Sequence, residues 1–200
     1  LKQQYTFKDY CKVLFTKQVL ILGLVNLLLV GVLEGLSDVW GVEFLMKFFE
    51  LTKQDSASLI SYIFIGLMLG FPIISYFTEK INVYNIIIFC GIGMGLLLLG
   101  LPKLVYNEIL FTIIFILLGF LSSYQGVILS IGAKLSTQHS TVIFAFLNCL
   151  NMLGGSFFHT AIGYTITYLL DNNFDVLVAY LYGINIIPIC SILGACLILF

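Results

Sequence analysis

The stretch Val83–Leu101, VYNIIIFCGIGMGLLLLGL, runs nineteen residues without one charged side chain. About twenty consecutive apolar residues wound as a helix cover the hydrocarbon core of a bilayer. A soluble domain would have to bury such a rod completely, and this chain has little with which to cover it. Of its 200 residues, 60% are apolar and 10% charged, and the mean hydropathy is +1.10. Soluble domains carry about 25% charged residues. The surface must therefore face lipid, and backbone polar groups in lipid are satisfied by helices or closed barrels.

Five further runs of similar character flank this one. The expected spans are residues 18–46, 56–78, 83–101, 108–132, 141–169 and 176–199. Their connections are short, so successive helices should run antiparallel. The fold class is an all-α membrane protein of six transmembrane helices (18–200), preceded by a polar segment (1–17). With the amino terminus inside, Lys2, Lys8, Lys12, Lys17, Lys80 and Lys134 are cytoplasmic, and Lys47, Lys53 and Lys103 lie outside. The excess of inner Lys favours that orientation. The chain starts at Leu1 without Met and stops at Phe200 within an apolar run, which reads as a fragment. A polar opening with four Lys is not a signal peptide.

Several functions lose support at this stage. The net charge is −1 and no basic patch offers a grip on nucleic acid. Cys11, Cys90, Cys149, Cys190 and Cys196 are scattered without a C-x-x-C pair, so neither a metal site, a disulfide framework nor a cofactor is expected. No nucleotide-binding loop is present. An intramembrane enzyme would need a nucleophile and partner at depth; Ser156 and His159 share a helix, but no G-x-S-x-G motif occurs. Gly66 and Gly70, and Gly91 and Gly95, form two G-x-x-x-G pairs suited to close helix packing.

The first span carries the unexpected charges. VGVLEGLSDVWGVEFL, Val30–Leu45, holds Glu34, Asp38 and Glu43. A charged Asp at the centre of a membrane helix costs about 2.5–3.5 kcal/mol on insertion scales. Such a side chain must face water, find a partner or take up a proton. At about 100° per residue, Glu34 and Asp38 share a face, whereas Glu43 falls about 180° from Glu34 and reads as interfacial. Glu34 and Asp38 are thus candidates to bind a proton or a cationic group of a solute. Gly31 and Gly35 flank Glu34, where the helix can kink. Asn26, Tyr124, Gln125, Asn148 and Asn151 are further candidates for solute contact at membrane depth. His139, in the loop STQHST, reads as solvated, and His159 as a neutral histidine bonded to its helix. Trp40 and the tyrosines near span ends read as an interfacial belt.

The loop LMLGFPIISYFTEKINVYN, Leu67–Asn85, resembles the signature loop of the major facilitator superfamily. Gly70, Pro72, Glu79 and Lys80 match it in kind; Ser75 replaces a second glycine, and Val83, Tyr84 and Asn85 replace basic residues. SDVWGVEFLMKFFELTKQDSASLIS resembles the seventh helix and outer loop of that family. GAKLSTQHSTVIFAFLNCLNMLGGSFFHTAIGY resembles its tenth-to-eleventh loop and eleventh helix. The resemblance implies the carboxy-terminal six-helix half of a twelve-helix transporter in a bacterial cytoplasmic membrane. Its first, second, fourth and fifth spans would line a cavity, and Gly70, Pro72, Glu79 and Lys80 would form a conformational motif. The expected function is secondary transport of a small polar solute by alternating access, coupled to protons. Its partners would be that solute, the bilayer and a missing amino-terminal half. The alternative is a sensor or assembly subunit that keeps a transporter-like fold without transporting.

Overall fold

The computed structural model describes residues 7–199, apart from the side chains at positions 7 and 9. Lys2, part of the orientation argument, and the first residues of the polar segment lie outside that range. Among the described residues the chain is all-helical, with six helices long and apolar enough to cross a membrane. It is an integral membrane protein. The spans are Lys17–Phe48, Lys53–Thr78, Val83–Lys103, Glu108–Leu135, Ser140–Asp171 and Val176–Leu197. Several run past the apolar stretches because polar residues add a turn. The second span begins at Lys53 because Thr52 caps it, its side chain accepting the Asp55 N–H at 3.2 Å. Asn82, Asn107 and Asp175 cap the third, fourth and sixth spans in the same way.

The segment expected to be only a polar lead-in forms a short helix, Phe7–Leu14. It packs on the amino-terminal end of the fifth span, with the Tyr10 ring edge-on to His139 at 5.7 Å. His139 is accordingly buried rather than solvated, and Ser136 Oγ lies 3.2 Å from its Nδ1. An aromatic partner 129 positions away has no trace in the local loop sequence.

The dominant pairings are second span on fourth, first on fifth, first on sixth and third on sixth. Exchanging spans one to three with spans four to six turns the second–fourth pair into the fifth–first pair. The same exchange maps third–sixth onto itself, and first–sixth onto fourth–third, which also pack. Successive spans alternate direction, so the first and fourth run oppositely, and an exchange between them needs an axis in the membrane plane. The bundle thus has the connectivity of two inverted three-helix units.

Glycine sets the closest of these contacts. A Cβ at Gly66 would meet the backbone of Ile116, and one at Gly119 would meet the backbone of Ile63. The second and fourth spans therefore touch main chain to main chain, which only the absence of a side chain permits. Gly91 and Gly95 play the corresponding part between the third and sixth spans, against Ser191 and Pro188.

Candidate functional site

The first span is not a continuous α-helix. Lys17–Leu29 and Gly41–Phe48 are α-helical, but Gly31–Trp40 is a π-helix of ten residues. Most π segments are single-turn bulges, and they concentrate at functional sites. Here the Gly41 N–H bonds the Leu36 carbonyl five residues back, and Ser37 Oγ donates to the Val32 carbonyl at 2.9 Å, also five back. Two glycines in that segment let neighbours press in. A Cβ at Gly31 would lie 2.8 Å from Phe158, and one at Gly35 would lie 3.1 Å from it.

This winding changes which acids share a face. At about 80° per residue for i→i+5 hydrogen bonding, Glu34 and Asp38 remain roughly 30° apart. Glu43, however, falls roughly 70° from Glu34 instead of opposite it. It turns to the sixth span, where the Tyr180 hydroxyl donates to Glu43 Oε2 at 2.9 Å. Glu43 is exposed, but it is tethered to a helix rather than left among headgroups.

Glu34 fits into space that the fifth span leaves open. A Cβ at Gly155 would stand 3.1 Å from Glu34 Oε2 and 3.2 Å from its Cβ. One turn outward, Asp38 Oδ2 lies 3.7 Å from His159 Nε2. His159 is therefore not the helix-bonded histidine expected from sequence: its Nε2 faces an acid on another span, and its Nδ1 is buried without a partner. The Asp38 side chain is 65% exposed and that of His159 32%. The Trp40 ring lies over Gly163, wedging the first span against the fifth.

A second polar layer lies toward the amino-terminal end of the first span. Asn26, Gln125, Leu129, Asn148 and Asn151 surround one small cavity of about 20 Å³. Asn26 Nδ2 donates to the Leu147 carbonyl at 3.1 Å, and Gln125 Nε2 donates to Asn151 Oδ1 at 3.2 Å. Four candidates chosen singly from the sequence thus meet at one point. Tyr124 does not join them at an opening: it is fully buried, its hydroxyl beside Gln125 without a hydrogen bond of ordinary geometry.

The two layers lie along one stripe of the fifth span. Asn148, Gly155 and His159 are seven and four residues apart, within roughly 40° of one another. From Asn148 to His159 the stripe rises about 16 Å, about half the hydrocarbon thickness.

The conformational-motif candidates lie elsewhere. Pro72 sits inside the second span, and together with Ser75, Thr78, Tyr84, Ser130 and Lys134 it lines an open cleft of about 590 Å³ between the carboxy-terminal halves of the second and fourth spans. Gly70 lets Phe120 and Ser123 approach, and Ser123 Oγ donates to the Leu67 carbonyl at 3.1 Å. Lys80 does not reach an acid in this structure; its ammonium donates to the Tyr76 hydroxyl one turn back. Glu79 is the carboxy-terminal cap of the second span.

Sequence reasoning missed His159 as a partner of Asp38, Gly155 as the space for Glu34, and Ser130 and Lys134 in the cleft beside Pro72. The residue types at Ser130 and Lys134 were visible signals; the long-range pairings were not. No protein-family model, curated protein or solved structure matches this chain.

Proposed function

We propose that this chain is the carboxy-terminal six-helix half of a secondary transporter of the major facilitator type. It moves a small polar solute across a bacterial cytoplasmic membrane by alternating access, coupled to protons. The observation that carries the reading is the open flank of the first and fifth spans. Asp38 and His159 lie within membrane helices yet stay accessible, and Asn148 is exposed on the same stripe. Lipid cannot cover that flank without a cost of about 2.5–3.5 kcal/mol for the acid alone. Water and a second six-helix half cover it in this reading, the amino terminus of the chain being cytoplasmic.

Two further features support it. Inverted three-helix units, nested within each half, are how such transporters are built, with binding near the midplane where helices are discontinuous. The π segment is such a discontinuity, and Glu34 lies near the middle of its span. Glu34, Asp38 and His159 supply three titratable groups in reach of one another. A carboxyl in a site that alternates between wet and dry changes its proton affinity with conformation, because burial penalises the charged form.

The test uses the full-length protein in proteoliposomes with a trapped pH dye, screened against polyols, amino acids and cationic amines. Solute-driven proton entry is expected in the wild type and should fall at least tenfold in Glu34→Gln or Asp38→Asn, with folding unchanged. Undiminished proton entry in both variants defeats the coupling; an upstream sequence without six more spans defeats the transporter assignment itself.

A further inference from the structure

The cleft beside Pro72 does not end at the second and fourth spans. Tyr84 and Leu135 line it, and they also line a second cavity, of about 320 Å³, beside Lys17 and Gln18 of the first span. The two cavities adjoin at the end of the bundle where the first span begins and the second and fourth finish. Each holds one exposed lysine, Lys134 in the larger and Lys17 in the smaller. No acid lines either cavity, and among the described residues neither lysine makes an ion pair. The larger cavity is graded in polarity with depth. Thr78 and Lys134 stand at the ends of their spans, Ser75 and Ser130 about a turn further in, and Phe71, Gly126 and Val127 below them. Phe71 and Gly126 share a level, since a Cβ at Gly126 would lie 3.1 Å from the Phe71 ring. From Lys134 to Ser123 the cleft follows the fourth span for about 16 Å, about half the hydrocarbon thickness of a bilayer.

A small soluble anion would match the lysines but leave the apolar depth unfilled, and walls without a neighbour forfeit their dispersion contacts. A hydrocarbon chain alone would fill the depth and leave two cations without a counter-charge. A phospholipid carries both parts in the right order: an anionic phosphate, ester-linked glycerol, then a chain one leaflet long. Lysine binds phosphate as a point charge, and basic pockets between membrane helices hold anionic head groups. Tyr84, common to both cavities, adds a hydroxyl donor at the same level. We propose that these adjoining cavities seat one anionic phospholipid, its phosphate held by Lys17 and Lys134 and one acyl chain laid along the cleft as far as Gly126. The lipid comes from the leaflet on that side of the membrane. The inference uses none of the acids or amides of the first and fifth spans, so it stands apart from the transport reading.

The experiment measures binding of phosphatidylglycerol with a fluorescent acyl chain to the full-length protein in detergent micelles. Unlabelled phosphatidylglycerol should displace it, phosphatidylcholine should do so at least fivefold less well, and inorganic phosphate should not displace it. Lys17→Gln and Lys134→Gln should each weaken phosphatidylglycerol binding about fivefold, and Lys134→Arg should restore it to within about twofold. Lys12→Gln is the control, since Lys12 is exposed on the short helix before the first span and lines neither cavity; it should change binding less than twofold. Ser130→Trp fills the cleft without altering charge and should also weaken binding at least fivefold, which a merely electrostatic surface would not show. If that variant fails to fold, the exposed lysine variants carry the test alone. Equal affinity for the two lipids, or equal losses in the Lys12, Lys17 and Lys134 variants, overturns the proposal. Displacement by inorganic phosphate overturns the lipid as occupant and leaves a free-anion site.

Discussion

Replacing Gly119 by Ala tests whether main-chain contact between the second and fourth spans holds the bundle together. An added Cβ would lie 2.6 Å from the Ile63 carbonyl carbon and 2.9 Å from its Cα, with the carbonyl oxygen closer still. Carbon atoms in contact sit at about 3.5–4.0 Å, so the deficit is about 1 Å. Neither obstructing atom can rotate away, because both belong to a helix backbone. The spans must separate, and that also loosens the reciprocal seat of Gly66 against Ile116. Overpacking of this kind costs about 1–3 kcal/mol, and a rigid obstacle belongs at the upper end. Alanine returns up to about 1 kcal/mol as the better helix former, leaving a net loss of about 2 kcal/mol. Gly100 is the control, since nothing lies within 4 Å of its Cβ position; Gly100→Ala should be neutral or stabilise by up to about 1 kcal/mol. Reversible unfolding of the full-length protein in mixed micelles, titrated with dodecyl sulfate, measures both. If the two variants fall within about 0.5 kcal/mol of each other, close backbone approach does not control stability here and the argument fails.

Two further outcomes follow from the open flank and its outer tether. In a background with the native cysteines replaced, Asn148→Cys should react with a charged, water-soluble thiol reagent, and Leu153→Cys, exposed on another face of the same span, should resist it; equal protection of both would mean that the flank is dry. Tyr180→Phe removes the hydroxyl that reaches Glu43 and should cost about 1 kcal/mol, while a cycle with Glu43→Gln should give a coupling of at least 0.5 kcal/mol; strictly additive losses would show that the contact contributes nothing.

The spans were legible because twenty apolar residues in a row have few other uses; their ends moved by up to three residues, at Lys53 because Thr52 caps the helix there. Faces were legible only as far as the helical period held. Glu34 and Asp38 stayed together because four residues make nearly a full turn in either winding. Glu43 did not stay opposite, because the lag per residue accumulates over the six steps from Glu34 to the end of the π segment at Trp40. The sequence hints at weakness there through Gly31 and Gly35, but a glycine pair does not state how the backbone will rewind. Long-range partners were the other blind spot. Asp38 and His159 are 121 positions apart, and nothing local to either announces the other. Asn26, Gln125, Asn148 and Asn151 could each be picked out as costly at depth, yet their convergence depends on how the first, fourth and fifth spans pack.

The distribution of cost over the surface is what orients this bundle. Toward one side stand Phe89, Leu96, Ile109, Ile113, Ile189 and Leu193, exposed and wholly apolar, and these sit in hydrocarbon without penalty. On the first and fifth spans the exposed groups include an acid, an imidazole and an amide. An Asp–His contact at 3.7 Å does not remove the problem, because a pair with both partners accessible still has unsatisfied oxygens and nitrogens turned outward. Burying the flank in lipid would therefore tax the membrane-inserted state by several kcal/mol, comparable to the whole margin of a small protein's stability. A chain that exposes such groups within its membrane spans must meet water or a polar partner at those positions. The amide cavity and the two acids adjoin the same stripe of the fifth span, along about 16 Å of a single helix.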